Sequence, residues 1–379
     1  MDPSAPRHPH CGAQPRNVAA LGRIARLGTG QNRLLRAALI TLWIILLVYA
    51  LVGTVLIAPR FAVDLEIPLR AAERWTAGLP PYQPEAFASP PGATQPFLYP
   101  PYLLPVLAAL TMLPREVVGV VWVALLMLTA VLACRRLAIP WRWMPLVLAW
   151  PPFSEGIFGG NVQVLLFAAF VYLFWQAPNA SGRVPRVLGA SATSATESGG
   201  LSTFIGAIKV SQLQPWIYVL RNRPLVALGA VAVLGAIVAL TLPLTGVELW
   251  FEWIAQLRRA SDPSWDLGGI AVTRYLPGLP GLVIVGLCLI AAWFVPKRAA
   301  GEWIGVVSTV GSASLHIFGM LFLGPALLTI RRELALLAVI AITTYSYLGS
   351  WTGIAICALA FAAGTRWPQL YEPASEVAS

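Results

Sequence analysis

Apolar residues in this chain gather in long blocks, closed by arginine, proline and glycine, with no run of alternating polar positions between them. Alternation would predict half-buried strands; uninterrupted apolar blocks of about 18 residues or more predict membrane-spanning helices. Residues 37–58 are apolar throughout and would make about 33 Å of helix, enough to cross a bilayer. Further candidate spans cover residues 117–134, 144–158, 162–175, 225–242, 282–295, 317–330, 334–348 and 352–363. Several fall short of the ~20 residues an upright span needs. Short helices that meet at polar turns are how a membrane protein sinks a cavity into the bilayer; residues 202–220 and 302–314 read as such broken segments. The expected fold is an all-α polytopic membrane protein with about 10–12 transmembrane helices.

The polar stretches divide the rest. Residues 59–97 form the first large polar segment, rich in charge, aromatics and proline, and residues 68–77 within it carry the periodicity of an amphipathic surface helix. Residues 98–114 are apolar and proline-rich; if they crossed, Arg135 and Arg136 would fall outside, so residues 100–113 read as re-entrant or partly inserted. Residues 176–200 are rich in Ser, Ala, Thr and Gly and read as a linker; 244–280 read as a second polar loop, and 365–379 as a tail. No internal repeat is visible.

Composition supports the membrane reading. Of 379 residues, 58% are hydrophobic and 11% charged, less than half the ~25% charge of soluble domains. The net charge of +10 would point to nucleic acid if it lay on a soluble module. Instead Arg7, Arg16, Arg23, Arg26, Arg33 and Arg36 crowd the 1–36 tail, which makes that tail cytoplasmic under the positive-inside rule. Placing Arg135/Arg136, Arg183/Arg186, Arg221/Arg223, Lys297/Arg298, Arg331/Arg332 and Arg366 on the same side leaves Asp64, Glu155, Asn161, Lys209 and His316 together on the outer face. The four cysteines are far apart, and His8, His10 and Cys11 sit in a proline-rich tail. Neither a disulfide framework nor a metal site is expected.

Three residues carry the candidate chemistry. Asp64 follows the first span, and a carboxylate held at the membrane boundary can take a proton from a hydroxyl. Of the 26 basic residues only Lys209 and Lys297 are lysine, and Lys209 sits in an otherwise nearly uncharged segment. A cation there costs roughly 2.5–3.5 kcal/mol to insert, and a lipid phosphate is its natural partner. The alternative for Lys209 is a side chain that snorkels to the interface. His316, alone outside the N-terminal tail, ends a short apolar run and is either a packed histidine or a functional one. Glu66, Tyr82, Tyr99, Glu155, Asn161 and Gln163 also fall on the predicted outer face and are candidates to line a substrate cavity, although aromatics there also serve as plain anchors.

The order of these residues resembles glycosyltransferase family 87, the bacterial polyprenyl-phosphate-mannose-dependent mannosyltransferases of the GT-C superfamily. The resemblance is carried by Asp64, Ala71-Ala72, Gly78, Tyr82 and Phe97-Leu98-Tyr99-Pro100-Pro101. Gly160-Asn161, Ile208-Lys209 with Gln214-Pro215, and His316 ahead of a Gly-Pro-containing helix extend it. Pro68, where the family often has an aromatic residue, and the turn Gly159-Gly160-Asn161-Val162-Gln163 depart from the family pattern. The resemblance implies a GT-C-like bundle in residues 37–364 with amphipathic helices in the first external loop, set in a bacterial plasma membrane with both termini cytoplasmic. It implies Asp64 as the general base that activates an acceptor hydroxyl, with Lys209 and His316 neutralising the departing lipid phosphate. The implied partners are a polyprenyl-phosphate-sugar donor, a glycolipid or lipoglycan acceptor and the lipid bilayer, with no cofactor, metal or nucleic acid. A transporter of lipid-linked sugars and an arabinose-using GT-C enzyme are the competing expectations.

Overall fold

The structure is a computed structural model that describes residues 33–52, 61–87, 95–175, 213–260, 269–312, 314–344 and 346–364. The N-terminal tail, the 176–200 linker, Lys209 and the C-terminal tail lie outside the described residues. Every regular element among the described residues is helical. Three helices are long and apolar enough to cross a membrane: α1 (Arg33–Val52), α4 (Arg115–Arg136) and a later one, Pro224–Thr245. Between the first two come α2 (Val63–Thr76) and the short α3 (Leu104–Leu110). After α4 the chain forms α5 (Met144–Ala149), α6 (Pro151–Phe158), α7 (Gln163–Phe174), α8 (Gln214–Asn222) and α9 (Pro224–Thr245). Then follow α10 (Glu248–Ala260), α11 (Val272–Tyr275), α12 (Leu279–Phe294) and α13 (Ala300–Val310). A 3-10 helix, Ile317–Leu323, leads into α14 (Gly324–Thr329), and α15 (Arg332–Thr343) and α16 (Tyr347–Gly364) end the fold as a hairpin.

The structure changes several expected boundaries. The span expected at 144–158 is broken at Trp150, whose extended backbone (φ −59°, ψ 132°) precedes Pro151 and Pro152. Proline disfavours helical geometry in the residue before it and has no N–H for the preceding turn. The span expected at 317–330 begins as the 3-10 segment and becomes α-helical only at Gly324. The stretch at 98–114 is helical only over Pro101–Leu110, about 15 Å, too short to cross. The 244–280 loop contains a 13-residue helix, α10. The surface helix expected at 68–77 starts at Val63, so Asp64 stands in its first turn and Pro68 lies inside it.

Burial sorts the long helices. Only 11% of the apolar window of α1 and of α9 is buried, against 39% for α4. Leu225 and Leu240 on α9 are more than three-quarters exposed, as befits side chains that meet lipid. The inner helix is α7, with Val164, Leu166, Phe167, Phe170 and Val171 buried. An aromatic ladder runs from it: Phe153–Phe167 at 5.6 Å, Phe167–Phe322 at 6.3 Å, Phe170–Phe322 at 5.0 Å and Phe174–Tyr218 at 5.5 Å, all edge-on. Each such pair contributes roughly 0.5–1.5 kcal/mol beyond burial. That matters because between apolar helices in lipid, close packing replaces the hydrophobic effect as the cohesive force. Gly305 shows how close: a Cβ there would lie 2.1 Å from the carbonyl oxygen of Phe322.

Arginines fasten several of the helix ends. Arg36 on α1 meets the buried Glu333 at 2.5 Å, with Arg331 at 3.4 Å from the same carboxylate. Arg136 lies over the Tyr172 ring, and Arg221 donates to the carbonyl of Trp293. Arg36, Arg331 and Glu333 thus join α1 to the start of α15. Asp64 lies beside the first third of α4.

Candidate active site

The N-terminus of α2 is docked onto the C-terminus of α6. The N–H of Ala62 donates to the carbonyl of Phe158, and that of Asp64 to the carbonyl of Gly159, both at 2.7 Å. This arrangement satisfies donors and acceptors that helix ends otherwise leave open, and it aligns the two helix dipoles head to tail. The contact needs unusual backbone on both sides. Ala62 is left-handed (φ 54°) and Gly160 has φ 78°; a Cβ on Gly160 would stand 3.1 Å from Cα of Ala62. Only glycine takes both the angle and the approach. Trp122 on α4 adds a third anchor, its Nε1 donating to the carbonyl of Gly160 at 2.8 Å.

Docking brings Asp64 to Asn161. The Asn161 Nδ2 donates to Asp64 Oδ2 at 2.7 Å, and Asn161 Oδ1 accepts the backbone N–H of Gln163 at 2.8 Å. The second bond fixes the first: with the amide oxygen turned to Gln163, only the NH2 group can face the carboxylate. Asp64 stands in the first turn of α2.

Helical spacing separates the two faces of α2. Asp64, Pro68, Ala71 and Trp75 lie on one side (i, i+4, i+7, i+11), and Glu66, Arg70 and Glu73 on the other. The Asp64 side packs toward a cluster of Ala71, Tyr82, Phe97 and Leu104, edged by Tyr99 and Trp253. There the Tyr82 hydroxyl donates to the Tyr99 carbonyl at 2.8 Å, its ring stacks on Phe97 at 5.4 Å, and Trp253 Nε1 donates to the Leu98 carbonyl at 3.0 Å. The backbone at Tyr99 is thus clamped at its own carbonyl and at that of Leu98. Burial, and after it the charge of Asp64, pushes the Tyr99 phenol well above its usual range, so that hydroxyl stays neutral. Tyr82 is a buried clamp, its hydroxyl engaged with Tyr99.

Glu66 is held away from Asp64. Its carboxylate pairs with Arg70 at 2.9 Å and Arg115 at 2.6 Å, and Arg115 also reaches Glu73 at 2.5 Å. These partly exposed pairs fasten the back of α2 to the start of α4. Glu155 stands half-buried on α6, its carbonyl accepting the N–H of Gly159 at 2.8 Å. Gln163 is fully buried at the start of α7. His316 immediately precedes the 3-10 segment Ile317–Leu323. Its ring stacks on Phe318 at 5.3 Å, and Phe318 belongs to the 3-10 segment that packs along α6, its Cβ 3.5 Å from where a Cβ on Gly156 would lie. The Leu315 carbonyl accepts the N–H of Ile270 at 2.6 Å, which fixes the backbone next to His316.

The structure therefore joins Asp64, Asn161 and Tyr99 around one docked helix end, with Glu155 and His316 on the elements packed against it. Trp122 and Trp253, which hold this geometry, carried no signal in the sequence: a tryptophan in an apolar helix reads as packing or an interface anchor. No group of three or more His, Cys, Asp or Glu placed to hold a metal ion occurs among the described residues.

Among the described residues an all-helical fold with three helices long and apolar enough to cross a bilayer defines a helical membrane protein. The model of glycosyltransferase family 87 matches residues 97–302, more than half of the chain, and the chain belongs to that family of membrane glycosyltransferases. The matched stretch takes in Tyr99, Glu155, Asn161, Gln163 and Lys209; Asp64, Glu66 and Tyr82 precede it and His316 follows. No match is found among curated proteins or among solved structures.

Proposed function

We propose that the protein transfers mannose from a polyprenyl-phosphate donor to a hydroxyl of a glycolipid or lipoglycan acceptor, at the outer face of the bacterial plasma membrane. The observation that carries this reading is the bond from Asn161 to Asp64, made where two helix ends and Tyr99 converge. In the proposed step Asp64 accepts the acceptor hydroxyl proton as that oxygen bonds to the anomeric carbon. The bond from that carbon to the phosphate oxygen breaks with inversion, and the polyprenyl phosphate leaves with its electron pair. The hydroxyl is a poor nucleophile until its proton is taken, and the leaving phosphate needs positive charge beside it. His316 and Lys209 are both assigned to neutralise that phosphate on the sequence resemblance. The donor's tail would stay in lipid, which suits a site with no soluble domain.

The test is sugar transfer by purified wild type and Asp64→Asn in lipid vesicles, with synthetic polyprenyl-phosphate-mannose and a membrane lipid extract. The amide keeps the size and the contact with Asn161 while removing the base. A mannosylated product from wild type and none from the folded variant supports the reading; equal transfer by both removes Asp64 from the role of base. A wild type that transfers arabinose but not mannose corrects the sugar alone.

A further inference from the structure

Helix α10 has two working faces. One is spent inside the protein: Trp253 holds the Leu98 carbonyl, buried Gln256 donates through Nε2 to the Gln83 carbonyl at 3.2 Å, and Trp250 packs on Tyr102 at 5.9 Å. The other face carries Val247, Phe251, Ile254 and Arg258, at intervals of four, three and four, which is one stripe of a helix. All four are exposed, Phe251 to 68%. The stripe does not stop at the helix. Leu240 and Leu244, exposed on α9, run into Val247 across Gly246, whose φ of 73° turns the chain between the two helices. The apolar surface of α10 is thus continuous with the flank of a helix long and apolar enough to cross the membrane. At its far end stand Arg258 and Arg259.

We propose that α10 is an interfacial helix seated in the lipid headgroup layer on the side of the membrane that holds Asp64. Phe251 and Ile254 enter the lipid, and Arg258 and Arg259 meet lipid phosphates. This rests on α9 being a membrane span: a stripe continuous with a lipid-facing flank meets lipid where that flank ends. The arginines at its edge suit phosphate, because their stems lie along apolar surface while the guanidinium stays at headgroup level. The opposite face of the same helix holds the carbonyls of Leu98 and Gln83, which adjoin Tyr99 and Tyr82 in the chain, so seating α10 also fixes the wall that carries Tyr99. Bilayer contact and active-site geometry are linked through one rigid helix.

The test reads position without needing activity. Cys134, Cys288 and Cys357 are buried, so in a Cys11→Ser background a bimane label can be directed to Phe251→Cys or to Glu252→Cys. The labelled proteins are placed in phosphatidylcholine–phosphatidylglycerol vesicles. The label at 251 should be quenched by lipid brominated on the acyl chain and shielded from aqueous iodide; at 252 the ranking should reverse. Iodide quenching at 251 with no effect of bromolipid overturns the proposal, and so does shielding from both quenchers together with a cross-linked dimer, which would mean that a second copy covers the stripe. For the link to the site, Phe251→Asp should lower mannosyl transfer severalfold in vesicles while the variant keeps the thermal stability of wild type in detergent. Unchanged transfer breaks that link. A wild type without any transfer refutes the proposed function and leaves the quenching result standing.

Discussion

Substituting Asn161 by aspartate puts two carboxylates where one carboxylate and one amide now meet at 2.7 Å. The side chains are nearly the same size, so the perturbation is almost purely electrostatic. Two unit charges at that distance repel by about 1.5 kcal/mol at the dielectric of water and about 6 kcal/mol at an effective constant of ~20. At about 1.4 kcal/mol per unit, this raises the pKa for the second ionisation of the pair by roughly 1 to 4 units. The sign follows from the proposed role. If Asp64 must be ionised to take the acceptor proton, Asn161→Asp keeps one shared proton on the pair, and the acid limb of kcat/KM moves to higher pH. The other groups that face this corner are Tyr99, whose phenol stays neutral, Glu155 on α6 and His316; all are common to wild type and variant, so their contribution cancels in the comparison. The assay is initial mannosyl transfer in vesicles from pH 4 upward for both proteins. An acid limb that stays put, in a variant that is folded and active, would refute the assignment of Asp64 as the titrating base. A loss of activity that is the same at every pH would show Asn161 to be structural only.

Gly160→Ala forces a Cβ to within 3.1 Å of Ala62 at φ 78°; left-handed backbone alone costs an alanine roughly 1–2 kcal/mol, and differential scanning should show lower stability together with reduced transfer. Glu333→Gln removes the buried carboxylate between Arg36 and Arg331. Because both arginines are about a third exposed, the loss should be about 1–3 kcal/mol, below the figure for a fully buried pair, read as a lower melting temperature in detergent with the transfer step spared. Transfer should be unaffected by EDTA, since the proposed charges on the leaving phosphate come from Lys209 and His316; activity that disappears with chelator and returns with a divalent ion would overturn that assignment.

The helical membrane character was legible because membrane helices announce themselves by length and hydropathy: α4 and α9 run close to their expected ranges, and α1 starts four residues before its own. What hydropathy does not record is where a backbone hydrogen bond has to be given up. Pro151 and Pro152 split one expected span at Trp150, and the run from Ile317 winds as a 3-10 helix before Gly324. Residues 244–280 read as a loop because α10 mixes Glu, Arg and Trp, and a strongly amphipathic helix has low mean hydropathy however well it is packed. The corner holding Asp64 was legible in part. The Gly-Asn turn signals close backbone approach, but only the structure shows that what approaches it is the first turn of α2.

That turn also explains why Asp64 and Glu66, two residues apart and chemically alike, have different roles. Neighbours at i and i+2 point to different sides of a helix. From the sequence both were acids at a membrane boundary, and reading Pro68 as a helix start left them in a loop where no such division exists. With the helix starting at Val63, Glu66 falls on the face that meets Arg115 and Arg70, where its charge is answered by two guanidinium groups. Asp64 falls on the face that meets the amide of Asn161. Glu66 is committed to the ion pairs that hold α2 to α4, whereas Asp64 meets a neutral amide beside the neutral phenol of Tyr99. The family match does not extend to either residue, so the choice between them rests on this geometry. Glu66→Gln should therefore lower stability by loosening α2 from α4, whereas Asp64→Asn should remove the chemistry.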